Sequence, residues 1–367
     1  MRKIIYGIFA FLFNLNRIFP VKENRIALVA PHKGGSHDSL WEIKDYLEKN
    51  GNYEVKYIST SALSSPAKAL KLFFAGSRYL ATSKYLFFND NFMPMASMNF
   101  SDKAKVIMLW HAEGAFKKFG LMTDLDPDIK RRQIKSGGKL SCVICTSENI
   151  VPVYAEAFGV DENRVLPLGS PRTDYLLRNN GSEELRKEFD KKHPECAGKK
   201  LVLYAPTFRD NPEKDAEILS HINGGRFDSE LGGDYALLVK LHPQVHSSPV
   251  PGNITDVTNE DIAGLTLICD TLITDYSSVC MDFALLSKPC IFYAYDLEEY
   301  ENERSFCFGY KDYVPGPVVY DFNSVIDEIK NPRSSGNAES FRKFNFDYID
   351  CGNTGRVLKA VISASLQ

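Results

Sequence analysis

The feature that most constrains this 367-residue chain is a repeated unit: a short apolar run, a polar or glycine-bearing turn, then a stretch with helical periodicity. Runs at 25–30, 53–58, 85–88, 106–110 and 143–146 form one series, with helices predicted at 39–48 and 150–158. A second series passes through 201–204, 236–241, 267–273 and 290–293. Strands that alternate with helices pair in parallel, because each crossover carries the chain back over the sheet. Residues 183–198 are charged and helix-forming, as a connection between domains would be. The fold class read from this pattern is α/β, with two doubly wound parallel-sheet domains facing a cleft. The expected divisions are 1–19, 20–182, 183–345 and a C-terminal helical segment, 346–367. No internal repeat or low-complexity tract interrupts them.

At 44% hydrophobic residues the chain is large enough for two cores. Its net charge of −3 speaks against a general nucleic-acid binder. Of the eight cysteines, Cys142 and Cys145 form a C-x-x-C inside a strand-like stretch. Positions three apart on a strand face opposite ways, so a shared zinc or a bridge is disfavoured. The cysteines read as reduced core residues of a cytosolic protein. Residues 4–15 are strongly apolar and flanked by Arg2, Lys3 and Arg17. The run is too short to span a bilayer, and nothing after it resembles a signal cleavage site. It predicts an amphipathic helix lying in the membrane interface; the alternative is a helix docked on the protein's own core.

Ligands of doubly wound sheets bind at the carboxyl ends of the strands, and the polar residues concentrate there. His111 follows the run 106–110, and an imidazole there is suited to taking a proton from an attacking hydroxyl. Gly114 and Ala115 offer close backbone approach, and Lys117 and Lys118 could attract an anion. Arg172, in the loop 168–174, suits bidentate binding of phosphate, or pairs with Asp174. Pro206, Thr207 and Arg209 repeat the design after 201–204, and Lys240 and His242 after 236–241. The stretch 272–278, Leu-Ile-Thr-Asp-Tyr-Ser-Ser, ends a strand and opens a helix. Ser277 and Ser278 there could cap the helix, bind a phosphate, or do both. The clamp formed by these groups neutralises charge by side chains rather than Mg²⁺, so no metal and no cofactor is expected. His32, Lys33 and His37, in the loop after 25–30, and Lys117 are expected on the acceptor side.

Taken in order, Trp110-His111, 169–174, 204–210, 240–243 and 273–282, followed by Lys288-Pro289, 293–300 and Pro315-Gly316-Pro317, resemble the CDP-glycerol glycerophosphotransferases of wall teichoic acid synthesis. The run Gly114-Ala115-Phe116-Lys117 resembles the primase-like branch, whereas Ala112 stands where many members carry glycine. The resemblance implies a GT-B fold, with 20–182 a Rossmann-like acceptor-side domain and 183–345 a Rossmann-like donor-binding domain. It implies no metal requirement, His111 as catalytic base and His242 acting with Lys240 at the diphosphate. Ser277, Ser278 and Asp282 would contact donor phosphate and hydroxyls.

The implied reaction moves glycerol phosphate from CDP-glycerol to an undecaprenyl-diphosphate-linked disaccharide at the cytoplasmic face of the membrane, releasing CMP. An acceptor hydroxyl attacks the β-phosphorus while His242, Lys240, Arg172 and Arg209 offset charge on the diphosphate. The rival readings are transfer of ribitol phosphate or assembly of a capsule polymer, a UDP-sugar-using GT-B glycosyltransferase or epimerase, and a non-catalytic membrane scaffold.

Overall fold

The computed structural model describes residues 2–31, 37–59, 66–209, 211–242, 245, 250, 253–333 and 337–362. The chain forms two compact units, Met1–Tyr175 with Asn345–Gln367, and Leu176–Phe344. The division falls a few residues before the charged segment, whose residues Glu183–Lys192 form a helix of the second unit.

The first unit holds a six-stranded parallel sheet of β1 (Lys22–Ala30), β2 (Glu54–Ser59), β3 (Ser83–Phe88), β4 (Lys105–Met108), β5 (Cys142–Cys145) and β6 (Val165–Pro167), in the order β2-β1-β3-β4-β5-β6. Its central strands are buried on both faces, which is why 26–30 and 86–88 read as unbroken apolar runs. The C-terminal helix Asn353–Ile362 belongs to this core, where Val357, Leu358, Val361 and Ile362 join Ile26, Leu28 and Ile43. Gly169 lets that helix approach: its φ is +84°, and a Cβ there would lie 1.9 Å from Asn353 Oδ1. Burial pushes the Cys142 thiol up to about 11 and the Cys145 thiol up to about 12, so both stay protonated at neutral pH.

The second unit holds β7 (Lys200–Tyr204), β8 (Tyr235–Val239), β9 (Thr255–Asp256), β10 (Thr271–Thr274), β11 (Cys290–Tyr293) and β12 (Val318–Val319), all parallel, in the order β12-β11-β10-β7-β8-β9. The run 267–273, expected as one strand, is divided. Leu267 and Ile268 form the end of the helix Ile262–Ile268, whose N-cap Asp261 accepts from Gly264 N, and β10 begins only at Thr271. A short apolar run cannot by period alone tell a helix end from a strand start. The short edge strands β6, β9 and β12 carry too little pattern to be read in advance.

The N-terminal helix Arg2–Leu15 is docked on the core of its unit along one face. Phe9, Ala10 and Phe13 are buried, with Phe9 edge-on to Phe73 and Phe92, while Ile4, Ile8, Phe11 and Leu15 are exposed. Among the described residues, no helix is long and apolar enough to cross a membrane.

Candidate functional site

In each unit the strand order reverses at one point, and ligands of such sheets bind beside it. In the first unit this point lies between β1 and β3. Asn89 and Asp90 leave β3 there, and His111 leaves the adjacent β4. Trp110 turns the chain with φ +62°, a left-handed conformation that is uncommon for a bulky residue. It is held there by packing on Phe119 at 5.1 Å and Phe158 at 5.3 Å between ring centroids. The turn delivers His111 to the surface with its side chain 51% exposed and Nδ1 3.5 Å from Asp90 Oδ2. A carboxylate at Nδ1 favours the tautomer protonated there and leaves Nε2 as the basic nitrogen.

The loop behind His111 is fastened from within. Tyr154 Oη donates to Ala112 O and Gly114 O, Gly114 N donates to Thr146 Oγ1, and Ala115 N donates to Asn345 Oδ1. The expectation that Gly114 and Ala115 bring free backbone to a ligand is therefore corrected: both are buried and their N–H groups are taken. Gly114, at φ +64°, sets the shape of the loop.

Arg172 also has a different partner from those foreseen. Its Nη1 lies 2.8 Å from Glu113 Oε2, and Ser170 Oγ donates to Glu113 Oε1 at 3.1 Å. Asp174 instead accepts from Asn353 N and Thr354 N, fixing the start of the C-terminal helix. Glu113 is buried, so the pair joins the His111 loop to the helix Pro171–Asn179 in low dielectric. Of the expected acceptor-side residues, His37 stacks on Tyr175 at 3.9 Å between centroids and Lys117 is half-buried. His32 and Lys33 lie outside the described residues.

In the second unit the order reverses between β7 and β10. This places the loop carrying Pro206 and Thr207 beside the turn carrying Ser277 and Ser278. Thr207 N donates to Asp275 Oδ1 at 2.8 Å. Its hydroxyl is buried and has no hydrogen-bond partner among the described residues, which is costly unless a ligand oxygen completes it. Ser278 is exposed at the N-cap of the helix Val279–Leu285 and makes no side-chain cap bond, and Ser277 Oγ accepts from Val279 N at a long 3.4 Å. The capping role is thus weakly filled. Asp282 lies in the first turn of that helix, but it is buried rather than displayed at the surface.

Two cations assigned to the diphosphate serve the fold instead. Arg209 is buried; it donates to Asp275 Oδ2 at 2.9 Å, to Asp296 Oδ2 at 2.7 Å and to Thr207 O at 2.6 Å. Its guanidinium lies 5.2 to 5.7 Å from the ring centroids of Tyr276, Tyr295 and Tyr300. This hub ties together the loops after β7, β10 and β11, so Arg209 holds the Thr207 loop against the Asp275 turn. Lys240 Nζ donates to Thr258 O and Glu260 O, and burial lowers its pKa. His242 remains exposed, its ring 4.7 Å from that of Phe208.

Asp90, Glu113, Asp275 and Asp296 carry no role in the sequence pattern; Asn89-Asp90, directly after a buried strand, is the signal available for Asp90. The absence of any Asp-x-Asp, on which the expectation of a metal-free clamp leans, is corrected: Asp124-Leu125-Asp126 and Asp126-Pro127-Asp128 both have that spacing. Asp126 caps the helix Pro127–Gly137, and Asp128 pairs with Lys3, Arg131 and Arg132. Among the described residues, no three His, Cys, Asp or Glu side chains are grouped to hold a metal.

Two doubly wound parallel-sheet units with histidine, carboxylate and hydroxyl side chains at their reversal points are a frame suited to nucleotide-dependent transfer. Residues 11–363 match the profile of the CDP-Glycerol:Poly(glycerophosphate) glycerophosphotransferases. The chain belongs to that family. It is 31% identical to a teichoic acid poly(ribitol-phosphate) polymerase of Bacillus spizizenii over 99% of its own length, and spans 60% of that relative. It is also 31% identical to a teichoic acid glycerol-phosphate primase of Bacillus subtilis, covering 89% of this chain and 88% of the primase. A structure of the wall teichoic acid polymerase TagF shares the fold, with a TM-score of 0.80 and 22% identity over 99% of this chain and 95% of that one.

Proposed function

We propose that this protein transfers a polyol phosphate from a CDP-polyol, CDP-glycerol in the first instance, to a hydroxyl of a lipid-linked disaccharide. The observation that carries the reading is the Asp90–His111 pair at the strand ends of the first unit. His111 Nε2 takes the proton as the acceptor oxygen bonds to the β-phosphorus; the bond from that phosphorus to the bridging oxygen breaks, and CMP leaves. Ser277, Ser278 and the hydroxyl of Thr207 receive donor phosphate oxygens, with His242 as a further proton donor. Glu113 moderates the charge of Arg172, and Arg209 acts from behind by holding Thr207 and the Asp275 turn.

The primase form of the reading rests on Gly114-Ala115-Phe116-Lys117, and the acceptor-side roles of His37 and Lys117 rest on their place in the first unit. Work at the cytoplasmic face is supported by the exposed apolar stripe of the N-terminal helix and the basic residues Arg2, Lys3 and Arg17. Ribitol phosphate is the alternative donor group, favoured by similarity to a ribitol-phosphate polymerase at the same identity as the glycerol-phosphate primase. A panel of CDP-glycerol, CDP-ribitol and UDP-N-acetylglucosamine, read by nucleotide release with a lipid-linked disaccharide, decides between them. CMP release from CDP-glycerol alone supports the first reading. UDP release from UDP-N-acetylglucosamine, or silence with both CDP-polyols, rejects polyol-phosphate transfer.

A further inference from the structure

One face of the first unit is apolar outside as well as inside. Ile4, Ile8, Phe11 and Leu15 recur at the spacing of one helical stripe and are between 49% and 67% exposed. Leu70 and Phe74, 62% and 58% exposed, add to this apolar surface from the segment Pro66–Ala81. Within that segment Leu72–Gly76 is a π-helical turn. Such a turn shifts the helical register and often marks a functional site. Here Phe74 stays outside, while Leu72 and Phe73 face inward toward the N-terminal helix.

Between the two segments lies a cavity of about 310 Å³, walled by Ile5, Phe9, Leu72, Phe73, Phe92 and Met93 and lined also by Asp90. That volume is at the low end of small-ligand sites, ~300–1,000 Å³. Largely apolar walls give water few of the two to four polar partners it needs. Neither 2–19 nor 66–81 contains an Asp or Glu, whereas Arg2, Lys3, Arg17, Lys68, Lys71 and Arg78 fall within them, in a chain of net charge −3; Lys3 is answered by Asp128. Local charge complementarity therefore points to an anionic bilayer.

We infer that this face rests on an anionic membrane and that the cavity accepts one acyl chain of a glycerophospholipid. The inference rests on the membrane reading above and deepens it. The chain is not that of the acceptor. Asp90, which lines the cavity, is the neighbour of His111, so an acceptor chain seated there would bring its diphosphate, and not its sugar hydroxyl, to the base.

The test uses the full chain in two assays: sedimentation with vesicles of phosphatidylglycerol and phosphatidylcholine, and native mass spectrometry with lysophosphatidylglycerol. Wild type should sediment and carry one lysolipid. Leu72→Trp and Met93→Trp, which fill the cavity from different sides, should each weaken lysolipid binding about tenfold or more while still sedimenting. Phe11→Asp should do the reverse. Unchanged lysolipid binding in both folded cavity variants overturns the inference, as does its loss in Phe11→Asp or displacement of the lysolipid by an equimolar prenyl phosphate. Nucleotide release from CDP-glycerol is followed separately, so failure of the transferase reading leaves a distinct signature.

Discussion

Asp90 Oδ2 lies 3.5 Å from His111 Nδ1, although the two residues leave different strands and stand 21 positions apart in the chain. In the proposed reaction this pair makes an exposed histidine into an oriented base. Asp90→Asn keeps the shape but favours the wrong tautomer. It should lower kcat about 10²-fold with KM little changed, the size expected of acid–base catalysis. Steady-state CMP release checks this, and an equal loss carried wholly by KM would assign Asp90 to substrate binding.

Arg209 should be a residue of stability. It is buried between Asp275 and Asp296, and removing one member of such a group leaves uncompensated charge in the interior. Arg209→Met should cost about 3–5 kcal/mol in urea unfolding. Arg209→Lys should not restore it, because a single ammonium cannot reproduce the planar fork. A fully stable variant with raised KM for the donor would return Arg209 to the diphosphate.

The two faces of the N-terminal helix should respond differently. Phe13→Ala removes a buried ring and should destabilise the protein by about 3–5 kcal/mol. Phe11→Ala, on the exposed stripe, should stay within about 0.5 kcal/mol. Deleting the helix outright should destabilise the first unit, since Phe92 and Phe73 lose their partner Phe9. Thermal melts of the three variants separate these outcomes.

Asp350 gives a pH signature. Two hydrogen bonds from Arg356 Nη2 hold its carboxyl below the ordinary 3.8. A carboxylate with a depressed folded pKa contributes stability that is complete above its unfolded value and is lost as pH falls through the folded one. The stability gap between wild type and Asp350→Asn should therefore be widest near neutrality and close below about pH 4. Urea midpoints across pH measure it; a gap independent of pH contradicts the assignment.

The alternation of apolar runs and helices was enough to read two parallel sheets, because strands buried on both faces print their burial as unbroken Ile, Leu, Val and Phe. The strand-end histidines were legible for the same reason: a polar residue directly after such a run must lie at a sheet's edge. What the sequence concealed is pairing. Arg172 next to Asp174 suggested a local ion pair, yet each found its partner far away, in Glu113 and in the amides of Asn353 and Thr354. Arg209 and Lys240 looked like phosphate ligands because a cation at a strand end looks the same whether it faces a ligand or a carboxylate. The apolar run at 267–273 hid a helix end because its period fits both states.

The central claim is that His111, oriented by Asp90, is the base of a CDP-polyol phosphotransferase. The most direct measurement is single-turnover CMP release from labelled CDP-glycerol with a lipid-linked disaccharide, comparing wild type, His111→Ala and Asp90→Asn. The account predicts release by wild type, a loss of about 10³-fold or more in His111→Ala, and the smaller loss of about 10²-fold in Asp90→Asn. Undiminished release by folded His111→Ala would contradict it.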